Sequence, residues 1–152
     1  MKVATKAYGV IDVDECQEIT FSQGLLGFAA YKQYVLLDAE RQPFYWLQSL
    51  EVERIAFMVI NPFLFRPDYE VNIDNEELLE IGLSDPSKAL ILSILTIPPE
   101  GGLMTANLQG PLVINRDTRF GIQAVLSDLR WKIKHDVMAE LRAWRERIES
   151  PC

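Results

Sequence analysis

Between Pro43 and Tyr69 the chain carries two short apolar, aromatic runs, Pro43–Ser49 and Ile55–Phe65, joined by the charged connection Glu51-Val52-Glu53-Arg54. Each run is too short for a buried helix and rich in β-branched and aromatic residues, so length and composition select strands. The second strand stops at Asn61-Pro62, because proline has no N–H for a ladder and pushes its predecessor to extended geometry. Phe63-Leu64-Phe65 therefore falls outside the strand. Three large apolar residues in a row at such a place either tuck under the sheet or present a contact surface. The tendency of large apolar residues to sit inside favours the first reading.

The same reasoning along the chain gives mostly strands. Val3–Val13 alternates and is broken at Tyr8-Gly9, a hairpin turn. Glu18–Phe21, Gln33–Leu37, Ala89–Ile97, Met104–Leu108, Leu112–Asn115 and Ile122–Leu126 read as further strands, and Tyr69–Ile73 as a half-exposed one. Ser22–Phe28 is a loop punctuated by Gly24 and Gly27, with leucines to anchor it. One short helix is expected near 74–81, with Asp74 as its cap, acids in its first turn and Gly82 ending it. About ten short strands with almost no helix between them fit an antiparallel barrel or sandwich, mostly β, as a single domain.

After Ser127 the period changes. Leu129, Ile133, Val137, Leu141, Trp144 and Ile148 recur every three or four residues. This predicts an amphipathic helix from about Asp128 to Glu149, capped by Ser127 and roughly 30 Å long. Residues 1–127 then form the barrel, and 128–152 a helical extension of the same domain. The apolar stripe either packs on the chain's own barrel or makes an interface, with a homodimer through this helix as one form.

Charge is uneven. Residues 1–120 hold 9 Lys and Arg against 17 Asp and Glu, a net of −8, and residues 121–152 hold 6 against 5, a net of +1. An acidic body disfavours direct nucleic-acid binding, which needs clustered cations. It suits solubility or a basic protein partner. No apolar run reaches the roughly 18 residues of a membrane span, and Met1–Lys6 lacks the apolar core of a signal peptide. The two cysteines, Cys16 in a region read as strand and Cys152 at the end, do not suggest a disulfide framework. These features place the chain in the cytoplasm.

The search for catalytic chemistry is largely negative. His135 is the one histidine; flanked by Lys134 and Asp136, it reads as solvent-facing and lacks a companion base or nucleophile. No phosphate loop, nucleophile elbow or metal-ligand spacing is present, and no cofactor is expected. Binding is the default, with a small-ligand barrel or an enzyme whose pocket is lined by Tyr45, Trp46 and Phe63 as the alternative. The polar residues Asn61, Thr105 and Asn107 interrupt apolar stretches, so they either tie loops to strands or face another molecule. The candidate partner surface therefore comprises Asn61, Phe63, Phe65, Asp68, Tyr69, Thr105 and Asn107, with Glu51, Glu53 and Glu70 as electrostatic neighbours.

Five segments in order carry a resemblance: Tyr34–Leu37, Pro43–Ser49, Ile60–Tyr69, Thr105–Asn115 and Gly121–Leu126, together with Gly24-Leu25-Leu26-Gly27-Phe28. The set resembles the FliW family of bacterial flagellar assembly factors over about residues 1–128. The resemblance implies a small, acidic, barrel-like, non-enzymatic protein that binds flagellin in the cytoplasm. It also implies binding of CsrA, an RNA-binding translational regulator, in competition with flagellin. The resemblance sets Ser127-Asp128, Trp131 and Lys134-His135 against the segment near which family members end, so Asp136–Cys152 reads as an extension.

Overall fold

The computed structural model describes residues 1–149, with side chains as far as Arg145; Cys152 and the side chain of Ile148 lie outside the described residues. Strands β1 (Lys2–Thr5) and β2 (Gly9–Asp12) form the expected hairpin, which stands as a separate two-stranded sheet. The main sheet is built from β3 (Glu18–Phe21), β4 (Gln33–Asp38), β5 (Tyr45–Ser49), β6 (Ala56–Ile60), β7 (Ala89–Thr96), β8 (Thr105–Ala106), β9 (Leu112–Asn115), β10 (Phe120–Gln123) and β11 (His135–Asp136). Helix α1 spans Asn75–Glu80 and α2 spans Val137–Glu149.

The strand order β7-β6-β5-β4-β3-β10-β9 closes on itself, because β9 also pairs with β7. The result is a seven-stranded barrel. Seven is odd, so strand direction cannot alternate all the way round. The parallel seam lies between β3 and β10, and the other six are antiparallel. Eight-residue β7 serves two partners on one edge: Ala89–Leu92 pair with β9, and Leu95–Thr96 with β8, whose far edge carries β11.

Period-2 alternation fills the interior. Ile19, Phe21, Tyr34, Leu47, Val59, Leu92, Leu112 and Ile114 form one buried cluster inside the barrel. Gly121 of β10 is required by this packing: a Cβ there would lie 2.8 Å from the Phe21 ring and 3.0 Å from Ile114. Three outer layers cover the barrel wall. The β1–β2 hairpin packs Val3 with Val35 and Leu37. Ile81 and Leu83, just after α1, pack with Val113 and Ile122. The C-terminal segment packs Trp131 and Val137 with Ile60, Phe65 and Leu95.

Several expectations are corrected. Tyr69–Ile73 keeps its burial alternation but pairs with no strand among the described residues. Alternation reports one buried face, and here that face lies against side chains rather than beside a ladder. Asp74 occupies the cap position of α1, but its side chain makes no cap hydrogen bond; Gly82 ends the helix with φ +67° as expected. Cys16 lies in a 3-10 turn over Glu15–Gln17 and is exposed.

The largest correction is at the C-terminus, where α2 begins at Val137 and not at Asp128. Leu129 and Ile133 are 91% and 62% exposed, whereas Trp131 between them is buried. A helix that turned Leu129 and Ile133 inward would rotate Trp131 away, and the larger apolar surface wins. The backbone here is also committed elsewhere. The Lys132 carbonyl accepts the N–H groups of Leu108 and Gln109, and the Asp128 carboxylate accepts the N–H of Arg130 at 2.9 Å. The cap of α2 is Asp136, not Ser127: its carboxylate accepts the Ala139 N–H at 3.0 Å.

Candidate functional site

The segment leaving β6 is shaped by Asn61. Its side-chain oxygen accepts the Phe63 N–H at 3.0 Å, and Pro62 supplies the fixed φ for a 3-10 turn over Pro62–Leu64. That turn divides the apolar triplet. Phe65 is buried, while Phe63 and Leu64 remain 38% and 47% exposed. Both readings of the triplet therefore hold, each for different residues.

Past the turn, Tyr69 is buried and its hydroxyl donates to the Leu108 carbonyl, joining this loop to the segment after β8. Burial pushes the Tyr69 hydroxyl well above the usual tyrosine pKa. The Phe63 ring lies 5.8 Å from the Tyr69 ring, and Tyr69 meets Trp131 edge-on at 4.8 Å. Two guanidinium groups lie over the Trp131 ring, Arg66 at 4.8 Å and Arg130 at 4.9 Å. Such cation–π contacts are strongest where they are withdrawn from water, which favours the Arg66 contact over that of the more exposed Arg130. Each arginine is held by carboxylates. Arg66 bonds Asp68 at 2.9 Å and Glu140 at 3.3 Å. Arg130 bonds Asp128 at 2.8 Å and Glu70 at 3.2 Å, which holds the Asp128 carboxyl below its usual range.

His135 is buried in this junction, contrary to expectation. Its Nε2 accepts the Lys132 N–H at 2.8 Å, so the neutral ring carries its proton on Nδ1, 2.6 Å from Glu140 Oε1. A His–carboxylate pair is the partial geometry of a general base. Here the nitrogen that would take a proton is already occupied by the backbone, so the pair ties β11 to α2. Among the described residues, no three carboxylate, imidazole or thiol groups converge as metal ligands.

Asn107 acts as Asn61 does: its side-chain oxygen accepts the N–H groups of Gln109 and Gly110 at 3.1 and 2.9 Å. Thr105 lies in β8, in register with Thr96 and Asp136. The structure thus brings Phe63, Phe65, Asp68, Tyr69 and Glu70 together around Trp131, with the Asn107 loop joined through Leu108. Glu51 and Glu53 lie apart. They precede β6 whereas Asn61 follows it, and five strand residues at about 3.4 Å each separate them by roughly 17 Å. The pocket of Tyr45, Trp46 and Phe63 does not exist as one site: Tyr45 packs on the barrel interior, and Trp46 and Phe63 line different grooves. Sequence reading missed Arg66 and Glu140. Arg66 follows a buried aromatic directly, and Glu140 is one more acid on a charged helix, so neither carries a local signal.

Comparison with known proteins is consistent along the chain. The family model described as FliW protein matches residues 2–137. A flagellar assembly factor FliW from Treponema denticola is 48% identical over 143 residues, covering 94% of this chain and 97% of its own. One from Treponema pallidum is 43% identical over 152 residues and covers all of both chains, so that relative spans the C-terminal segment as well. A crystal structure of the flagellar assembly factor FliW superposes with TM-score 0.82 at 37% identity, covering 90% of this chain and 96% of that one. The chain belongs to the FliW family of flagellar assembly factors.

Proposed function

We propose that the chain is a non-enzymatic binding factor that holds flagellin in the cytoplasm and, when flagellin is scarce, holds CsrA instead. Release of CsrA by rising flagellin would then set flagellin synthesis by demand for assembly. The observation that supports this reading most is the division between inside and outside. The barrel interior is occupied by its own side chains, while Phe63 and Leu64 point outward in an acidic surface. A filled barrel offers no chamber for a small substrate, and exposed apolar residues among carboxylates suit a protein partner. A net charge of −7 would attract a basic RNA-binding regulator and repel RNA from it.

The test is an exchange experiment. The full chain is mixed with purified CsrA from the same organism, and flagellin is added in steps during size-exclusion chromatography. Co-elution with CsrA that gives way to co-elution with flagellin supports the proposal. A chain that elutes alone in both mixtures, or that carries both partners together without exchange, contradicts it.

A further inference from the structure

An open groove of about 510 Å3 lies beside Phe63, within the 300–1,000 Å3 typical of binding sites. Its lining includes Ala89, Ile91 and Val113 on the outer faces of β7 and β9, with Ile73 and Leu78 from the segment around α1. From Pro67 to Ser87 the chain carries seven carboxylates and no Lys or Arg. Asp68 and Glu70 are paired with Arg66 and Arg130. Asp85 accepts from Ser87, and Glu80 accepts from Ser22 and Gln23. Asp74 and Glu76, exposed at the start of α1 beside Leu78, have no ion pair among the described residues, while Glu77 lines a separate groove with Gln23 and Leu26.

We propose that this groove docks a basic amphipathic helix of a partner protein, with its apolar face on Phe63, Ile73 and Ile91 and its Lys or Arg side chains toward Asp74 and Glu76. The proposal rests on the binding role proposed above and names the site and the chemistry of its occupant. Charge selects the occupant. A second copy of this chain carries a net −7 and the same acids, and nucleic acid and anionic lipid are repelled for the same reason. Backbone chemistry selects the helix. β7 and β9 are each paired on both edges, and the unpaired stretch at the groove rim, Val71–Ile73, is about 10 Å long, so an extended peptide finds only a short ladder. A helix brings its backbone already hydrogen-bonded and presents side chains alone.

The test uses two labelled designed peptides of about 18 residues, five helical turns. Both have leucines at i, i+3, i+4 and i+7; one is flanked by lysines and the other by glutamates. Fluorescence anisotropy is measured with the full chain, with Phe63→Ala, and with the exposed double variant Asp74→Lys/Glu76→Lys. Circular dichroism checks that each protein is folded. The lysine peptide is expected to bind the parent chain at least about tenfold more tightly than the glutamate peptide, and to lose about tenfold on the double variant. Equal binding of the two peptides, or lysine-peptide binding indifferent to the double variant, overturns the proposal. So does sedimentation showing a dimer of the parent chain that the double variant dissociates, because the occupant would then be a second copy. If CsrA and flagellin bind parent and double variant alike and the peptides show no dependence, the groove assignment fails and the proposed function stands. If neither protein binds but the lysine peptide does, the proposed function fails and the groove assignment stands.

Discussion

At the residue scale, two buried tyrosines separate what a hydroxyl does for this fold. The Tyr69 hydroxyl is bonded to the Leu108 carbonyl, whereas that of Tyr34, inside the barrel, has no hydrogen-bond partner among the described residues. Tyr69→Phe should therefore cost about 1–2 kcal/mol in urea unfolding, because it leaves a buried carbonyl unpaired. Tyr34→Phe should lie within about 0.5 kcal/mol of the parent or be more stable. Burial, with Glu51 nearby adding to it, pushes the Tyr34 hydroxyl up to about 12, against about 10 in an unfolded chain. The raised value favours the neutral form in the fold. Its contribution is complete below about pH 10 and is lost as pH rises from there towards 12. Tyr34→Phe should flatten the fall in stability over that range, as followed by denaturant midpoints. Asn61 and Asn107 were legible from sequence, because an amide that interrupts an apolar stretch must bond something close by. His135 was not. Its neighbours Lys134 and Asp136 describe a surface, whereas the fold sets it beside the Trp131 ring and bonds it to Glu140 and the Lys132 N–H.

At the scale of elements, α2 is the clearest case of a pattern that misleads. The apolar period runs unbroken from Leu129 to Leu141, yet only its second half is helical and packed, with Val137 and Leu141 on the Phe65–Trp131 cluster. Periodicity records apolar spacing and is blind to Trp131, which sits out of phase and carries more surface. Removing α2 by ending the chain at Asp136 takes away the buried Val137, worth about 1.5–3 kcal/mol, and the partly buried Leu141, worth less. It also removes Glu140 from Arg66 and His135. The melting temperature should fall by about 10 °C, with new binding of a hydrophobic dye. An unchanged melting curve would show that α2 contributes nothing to the barrel. The aromatic strands β4, β5 and β6 were legible because β-branched and aromatic content, short length and flanking turns all pointed the same way.

At the scale of the molecule, strand spacing left a barrel or a sandwich, and the family resemblance pointed to the barrel; neither carried its closure at β7–β9 or its parallel seam at β3–β10. Those depend on which strands meet, and spacing along a chain does not carry that. The candidate surface was half legible for the same reason. The sequence led to Phe63, Asp68 and Tyr69, whereas the Trp131 junction is formed by residues 60 to 75 positions away. The acidic body has a kinetic consequence: association with a basic partner should slow about tenfold between about 0.05 and 0.5 M salt while dissociation changes less. Stopped-flow mixing with CsrA measures both, and a salt-independent association rate would remove charge from the account.

The central claim is that this protein works through the outside of a filled barrel. Hydrogen exchange on the full chain, alone and with saturating purified flagellin and then CsrA, tests it directly. The account predicts added protection across residues 62–86, with the interior strands β3 and β4 unchanged. Protection confined to β3 and β4, or no change anywhere with either partner, would contradict it.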